Sequence, residues 1–380
     1  MRIAVNASIL GLEPTGVNIY TEQVLTRLFR LPDIMTHQIE VFTPRALDLP
    51  DSVTQHILDG NLGRSTQVKG NALRRFLWNQ MQFTRIGKQF DRIYCPSYNT
   101  SLTLPNQIIT IHDLIAMRLP AQHPLQHAYC RFALPAQLRR ARAIVAISES
   151  TRLELTHWFG ISPSAIQVVP NGYDPVRFHP AHSPEDSGVI ARHGLVNFVL
   201  MVGATFPHKN IEVVLNAIGT LAPRLANHSL LQNHPPLQVA IVGGENAYQR
   251  ELRQAVLNLG LGNQVKFLGY VPDNDLPALY RKAQCLAYPS LLEGFGLPIL
   301  DAMASGCPVI CSNTSSLPEV AGNAALLCAP TDTLAWAESI FQISTEPQTR
   351  AKFVAQGLER VKHFSWQATA EKIAGILLRD

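Results

Sequence analysis

The 380-residue sequence predicts an α/β protein built from two doubly wound domains in tandem, and three observations carry that prediction. Short β-branched runs alternate with longer helical patterns from end to end, which is the signature of parallel βαβ units. The chain is longer than the roughly 250 to 300 residues at which a single core stops growing. Its apolar runs also fall into two similar sets.

In the first set, strands are expected at "RIAVN", "IEVFT", "RIYCP", "QIITIH", "AIVAIS" and "IQVVPN"; in the second, at "FVLMVG", "QVAIVGG", "VKFLGY", "CLAYPS", "PVICS" and "AALLC". The join is expected within "FHPAHSPEDSG", Phe178 to Gly188, which is rich in Pro, His, Ser and Asp and has no period. The expected domains are therefore residues 1–180 and 181–363. A last amphipathic helix is expected over 364–380, with Ser365 as its N-cap, packing on either domain and in the reading adopted here back on the first.

The composition is that of an ordinary globular protein, 46% hydrophobic and 16% charged, which excludes disordered and fibrous classes. The longest apolar stretches, such as "FVLMVGA", fall far short of the roughly 18 residues of a membrane span. "MRIAVNAS" reads as a strand and lacks the charged and apolar regions of a signal peptide. A cytoplasmic protein is expected. Cys95, Cys130, Cys285, Cys307, Cys311 and Cys328 form no CxxC pair and have no His at ligand spacing, so buried reduced thiols are expected.

Net charge is +4 but uneven: residues 1–180 hold 18 Lys+Arg against 12 Asp+Glu. Arg64, Lys69, Arg74, Arg75, Arg85, Lys88 and Arg92 interleave with Phe76, Leu77, Trp78, Met81 and Phe83. Such a stretch suits docking on an anionic membrane surface through the N-terminal domain. It also suits a solvated helix whose apolar side packs on a sheet. Nucleic acid is the weaker reading, because the charge sits beside an enzyme-like architecture.

Ligands of open α/β sheets bind beyond the carboxyl ends of the strands, so chemistry is sought there. In "YPSLLEGFGLPILDAMASGCPVI" a strand ends at Pro289 and a loop carries Glu293, Gly294, Phe295 and Gly296. Pro298 is expected at the first position of a helix that Gly306 stops. The glycines free backbone N–H groups to turn outward and the helix end adds partial positive charge, so a phosphate fits. Alone, Asp301 also fits a dipole-stabilising first-turn acid and Glu293 a solvated loop residue. Around that glycine turn, the two acids fit acceptors for hydroxyls on either side of a diphosphate, as in a nucleotide sugar.

Three further stretches follow strands. "VGATFPHKN" ends a strand at Gly203 and brings Lys209, a point charge suited to a diphosphate, to the start of a helix. "TIHDL" sets His112 and Asp113 at a strand end, where the imidazole either shuttles protons or hydrogen-bonds substrate. "EPTGVNIYTEQVL" places Gly16 and Asn18 between the first strand and a helix, but lacks G-x-G-x-x-G, which disfavours NAD or FAD. Asp273 and Asp275 in "PDNDL" formally make a D-x-D, yet the expected role for at least one is helix capping, and no metal is assigned.

"EGFGLPILDAMASGCPVICSNTSSLPEVAGNAALL", with "GYVPDNDLPALY", "VVPNGYDPVRF", "TIHDL" and "VGATFPHKN", resembles the retaining glycosyltransferase family 4 across nearly the whole chain. The resemblance implies the GT-B fold, two Rossmann-like domains facing across a cleft. It implies a nucleotide diphosphate sugar as co-substrate, no bound cofactor and no required metal. Glu293 and Asp301 match the family's paired acids, with Asp301 where Glu is usual; the first would approach the donor sugar and the second the ribose. Gly203, the Gly294, Phe295, Gly296 and Leu297 backbone, and Lys209 would hold the diphosphate, with Tyr270 and Val271 at the base. His112 would face the transferred sugar, and Gly16 the phosphate and acceptor, with Asn18 and Asp113 on the acceptor side.

Catalysis in this family implies front-face transfer in which the leaving diphosphate helps deprotonate the acceptor, with His112, Lys209 and Glu293 as its principal groups. The implied reaction moves a hexose, mannose from GDP-mannose in the first instance, to a glycan or lipid-linked acceptor, at the inner face of a membrane. UDP-glucose as donor, a nucleotide-sugar epimerase, and a non-catalytic donor-binding partner of a glycan assembly complex are the alternatives.

Overall fold

The structure is a computed structural model that describes residues 1–11, 15–60, 62, 70–203, 206–226 and 235–379. It divides into two compact units, Met1–Gly172 with Ser365–Asp380, and Tyr173–Phe364. The division after Gly172 lies upstream of the stretch Phe178 to Gly188 in which the sequence suggested a join. That stretch belongs to the second unit, where the Asp186 carboxylate accepts from Arg281 at 2.6 and 2.8 Å, with both side chains buried.

The first unit holds a seven-stranded sheet: β1 Arg2–Asn6, β2 Gln38–Thr43, β3 Thr54–Ile57, β4 Arg92–Cys95, β5 Gln107–Ile111, β6 Ala143–Ala146 and β7 Ile166–Val168. Their spatial order is β3-β2-β1-β4-β5-β6-β7, and every pair is parallel. The strand β3 was not expected. It is a four-residue polar edge with three of its residues exposed, so no apolar pattern marks it. By contrast all five residues of β5 are buried, as a central parallel strand covered on both faces requires.

The second unit repeats the plan with β8 Phe198–Val202, β9 Gln238–Val242, β10 Val265–Gly269, β11 Cys285–Tyr288, β12 Val309–Ser312 and β13 Ala325–Cys328, in the order β10-β9-β8-β11-β12-β13. In both sheets the order reverses beside the first strand, between β1 and β4 and between β8 and β11. Those switch points open a crevice at the carboxyl ends of the strands, the place where such sheets bind ligands.

The last helix, Trp366–Leu378, is capped by Ser365 Oγ, which accepts from the amides of Gln367 and Ala368. It packs within the first unit: Trp366 is 2% exposed and meets the Tyr20 ring edge-on at 5.9 Å, and Thr369 Oγ1 donates to the Pro170 carbonyl at 2.7 Å. Gly172 is fitted to this contact, since a Cβ there would come within 2.1 Å of the Trp366 nitrogen. All six cysteines are free and buried.

The basic stretch becomes a helix, Asn71–Trp78, continued by a π turn over Asn79–Phe83 and a last turn over Thr84–Gly87. Arg64 and Lys69 lie outside the described residues. Arg75 departs from the expected exposed set: it is 4% exposed and its Nη1 donates to the Leu62 carbonyl at 3.1 Å. Trp78 and Phe83 face the core, whereas Leu73, Leu77 and Met81 are 61%, 46% and 69% exposed, one helical turn apart.

Candidate active site

In the second unit Gly203 and Lys209, after β8, meet the Glu293 loop, after β11, at the switch point, whereas Tyr270 and Val271 follow the edge strand β10. Gly203, at φ +81°, follows β8; Ala204 and Thr205 of the same stretch lie outside the described residues. A single 3₁₀ turn, Pro207–Lys209, then leads through Asn210 at φ +55° into the helix Ile211–Ala226. Asn210 fixes this turn to its neighbours, its Nδ2 donating to the carbonyls of Pro289 at 3.1 Å and Pro330 at 2.7 Å. The Leu291 amide adds a bond to the His208 carbonyl at 2.8 Å. Lys209 is thereby tied to the loop after β11, 84 residues away along the chain.

Lys209 Nζ donates to Glu293 Oε1 at 2.6 Å and approaches the Tyr288 hydroxyl at 3.5 Å, with side-chain exposures of 16% for Lys209 and 10% for Glu293. Burial pushes the Glu293 carboxyl up, but the charge and hydrogen bond of Lys209 outweigh it and hold the group below the usual carboxylate range. Glu293 is therefore an anion, not a solvated loop residue. Tyr288, the last residue of β11 and 4% exposed, touches both partners. Nothing in the sequence marked it, because "CLAY" reads as a buried strand.

The loop itself is held from the far side. Ser315, at φ +50°, accepts from the Glu293 amide at 3.0 Å, and Ser316 Oγ donates to the carbonyls of Glu293 at 3.1 Å and Phe295 at 2.9 Å. Gly296 caps the helix Leu297–Ala304 at φ +109°, and a Cβ there would meet Leu317 at 2.9 Å. Only glycine satisfies both demands. The first-turn amides of that helix have no partner within it, and its positive end adjoins Gly294 and Gly296.

Two details differ from expectation. The helix begins at Leu297, so Pro298 is its second residue and Asp301 its fifth, one turn beyond the first. Asp301 is not a dipole-stabilising first-turn acid. Burial drives its carboxyl up to about 8, with Arg177 opposing and Asp174 reinforcing the rise. The 0%-exposed Tyr280, whose hydroxyl is buried without a hydrogen-bond partner, stands in its field. Tyr270 and Val271 follow β10, the first 65% exposed and the second 5%.

The D-x-D is not free to act as a ligand pair. Asp273 pairs with Arg177 at 3.3 Å; Asp275 stands at a helix N-cap position but makes no capping bond, and pairs instead with Arg192 at 3.0 Å and His193 at 3.5 Å. The capping role expected for one of them is replaced by ion pairs.

In the first unit, His112 directly follows β5 and is 7% exposed. Its Nε2 meets the Pro96 carbonyl at 2.7 Å, which assigns the proton to Nε2 and leaves Nδ1 as an acceptor. Burial lowers its pKa to about 4, so the ring is neutral near pH 7. Of the two roles open from sequence, hydrogen bonding suits this ring and proton shuttling does not. Asp113 Oδ1 accepts from the Ile115 amide at 3.1 Å. Gly16 and Asn18 are not in a loop before the first helix but within its first turn, Gly16–Leu28, capped by Thr15. Asn18 Oδ1 accepts from the Gly11 amide at 3.3 Å.

Comparison with known proteins bears on the whole chain. Residues 184–360 match the profile "Glycosyl transferases group 1" and residues 14–177 match "Glycosyltransferase Family 4". The chain is 32% identical to O-antigen chain mannosyltransferase B of Escherichia coli over 72% of its own length and 70% of the relative's. It is 29% identical to O-antigen chain mannosyltransferase RfbU of Salmonella typhimurium over 92% and 93%. Among solved structures it is similar to sucrose-phosphate synthase from Thermosynechococcus elongatus, with a TM-score of 0.77, 21% identity and coverage of 99% and 98%. It is also similar to Anabaena HepE in complex with UDP and glucose, with a TM-score of 0.72, 20% identity and the same coverage.

Proposed function

The chain belongs to the retaining, group 1 glycosyltransferases of family 4, with the GT-B fold, and from that premise we propose that it transfers mannose from GDP-mannose to a growing glycan or lipid-linked acceptor in surface-polysaccharide assembly. The names of its O-antigen relatives support mannose and a polysaccharide product. The observation that carries the donor reading is the Lys209–Glu293 pair set beside the glycine loop at the switch point.

In this reading the diphosphate lies on the Gly294 to Leu297 backbone, the glycine-lined end of β8 at Gly203, and Lys209. An ammonium has three donors; Glu293 takes one, and the phosphate takes another. Glu293 accepts from hydroxyls of the transferred sugar, while Asp301 meets the ribose. A carboxyl with a pKa of about 8 both donates and accepts at neutral pH, which suits a hydroxyl pair. Tyr270 and Val271 flank the base. His112 accepts from the sugar through Nδ1, and Gly16, Asn18 and Asp113 form the acceptor side of the first unit. The departing diphosphate takes the acceptor proton, and its charge is met by Lys209, the loop amides and the helix end without a metal.

No described helix is long and apolar enough to cross a membrane. The proposed location is cytoplasmic and peripheral, with the exposed Leu73, Leu77 and Met81 and the neighbouring Arg74, Arg85 and Lys88 on the inner leaflet.

A thermal-shift screen of GDP-, UDP- and ADP-sugars tests the donor, since a ligand of the folded state raises the melting temperature. GDP-mannose is expected to give the largest shift; a larger one with UDP-glucose overturns the donor assignment.

A further inference from the structure

We propose that the first unit carries a second ligand site, at the opposite end of its sheet from His112, which takes an anionic amphiphile: a phosphate head held by Arg131, Arg139 and Arg142, and a hydrocarbon chain laid on Trp158, Phe159 and Ile161. These residues line a cleft of about 510 Å³, within the range of roughly 300 to 1,000 Å³ typical of small-molecule sites. The cleft includes Ala143 and Ile144, the first residues of β6, and Ala165, just before β7. His112 follows the end of β5. In a parallel sheet these are opposite ends, so the cleft is separate from His112.

Its chemistry is one-sided. Among the described residues, three guanidinium groups line it and no carboxylate does. The two acids of the adjoining helix Glu149–Phe159 are engaged elsewhere, Glu149 with Arg152 at 2.6 Å and Glu154 with Arg118 at 2.5 Å. Arg142 is fixed by the bond from its Nη2 to the Arg379 carbonyl at 2.7 Å, while Arg131 and Arg139 reach into solvent. Planar forks of this kind match phosphate oxygens two at a time.

The floor has the opposite character. Leu138 and Ile144 are buried beneath it, and the polar edge of Trp158 is occupied, its indole N–H donating to Glu154 at 2.8 Å. What that ring offers the cleft is apolar surface. A bare anion would leave this surface wet, and an acidic peptide needs an extended groove, whereas a chain with a phosphate head covers the floor and meets the cations together.

Of the four tryptophans in the chain, Trp78, Trp336 and Trp366 are at most 8% exposed, and Trp158 is the one in this cleft. Submicellar dodecyl phosphate is therefore expected to change tryptophan emission saturably, and Trp158→Phe to abolish that signal. Inorganic phosphate and dodecyltrimethylammonium are expected to bind at least tenfold more weakly, and the double variant Arg131→Ala/Arg139→Ala to raise Kd at least tenfold with an unchanged melting temperature. Displacement by phosphatidylglycerol vesicles, but not phosphatidylcholine ones, assigns the ligand to a membrane lipid; no displacement assigns it to a soluble lipid phosphate. Equal binding of the phosphate and ammonium amphiphiles, or an unchanged Kd in the folded double variant, overturns the site.

Discussion

Lys209 balances two demands, since its ammonium neutralises Glu293 in the protein alone and the leaving diphosphate during transfer. Removing it leaves a buried carboxylate without its counter-charge and a leaving group without its cation. Lys209→Ala is expected to lower kcat by about two orders of magnitude or more, the scale found when a donor to a developing anion is removed. Steady-state turnover with saturating donor measures this, and a wild-type kcat would remove Lys209 from the mechanism. His112 makes a pH prediction. Its pKa is about 4 in the folded protein against an ordinary 6.5, so the unfolded chain binds the proton first as pH falls. The stability that His112 contributes is present above pH 6.5 and is lost on going down to pH 4, by about 3 kcal/mol. Urea melts of wild type and His112→Gln across that window should converge at low pH; a constant difference would show that the ring is not held neutral. At this scale the sequence was informative about identity and silent about pairing. Lys209 stood out just before a helix and Glu293 beside a glycine, each after a strand, but their contact spans 84 residues and Tyr288 gave no signal at all.

At the scale of elements, glycines and serines set the loop that precedes the helix Leu297–Ala304. The glycine turn and the helical run after it were legible because Gly296 and Gly306 require left-handed backbone, at φ +109° and +72°. The phase of the helix was not, and a start one residue earlier makes Asp301 its fifth residue, just past the first turn, where burial drives its carboxyl up. The strand β3 escaped notice because an exposed edge needs no apolar pattern. The basic stretch was legible as amphipathic, but which cations face outward was not, and Arg75 turned out to serve the interior. Its outer face leads to a direct expectation. The protein should sediment with phosphatidylglycerol liposomes and not with phosphatidylcholine ones, and about 0.5 M salt should release it, because the Debye length then falls to a few ångströms. Leu73→Glu/Met81→Glu should abolish sedimentation. Equal binding to both liposome types would contradict docking by this helix.

At the scale of the molecule, the six-strand order of the second sheet recurs in the first, which adds β7 at its edge, and both sheets reverse order beside their first strand. Two tandem doubly wound units were legible because buried parallel strands read as short apolar runs. The last helix was expected back on the first unit, where it lies, but its own pattern reveals an apolar face and not which surface covers it, and the fit of Gly172 to Trp366 is visible only in three dimensions. The central claim is that this pair of units moves a hexose from a nucleoside diphosphate with retention. Nuclear magnetic resonance of a reaction containing GDP-mannose and an O-antigen-type lipid-linked acceptor, with EDTA present, tests it most directly. The account predicts equimolar GDP and a product whose new linkage keeps the α configuration of the donor. A β-linked product, or release of GDP that depends on added divalent metal, would contradict it.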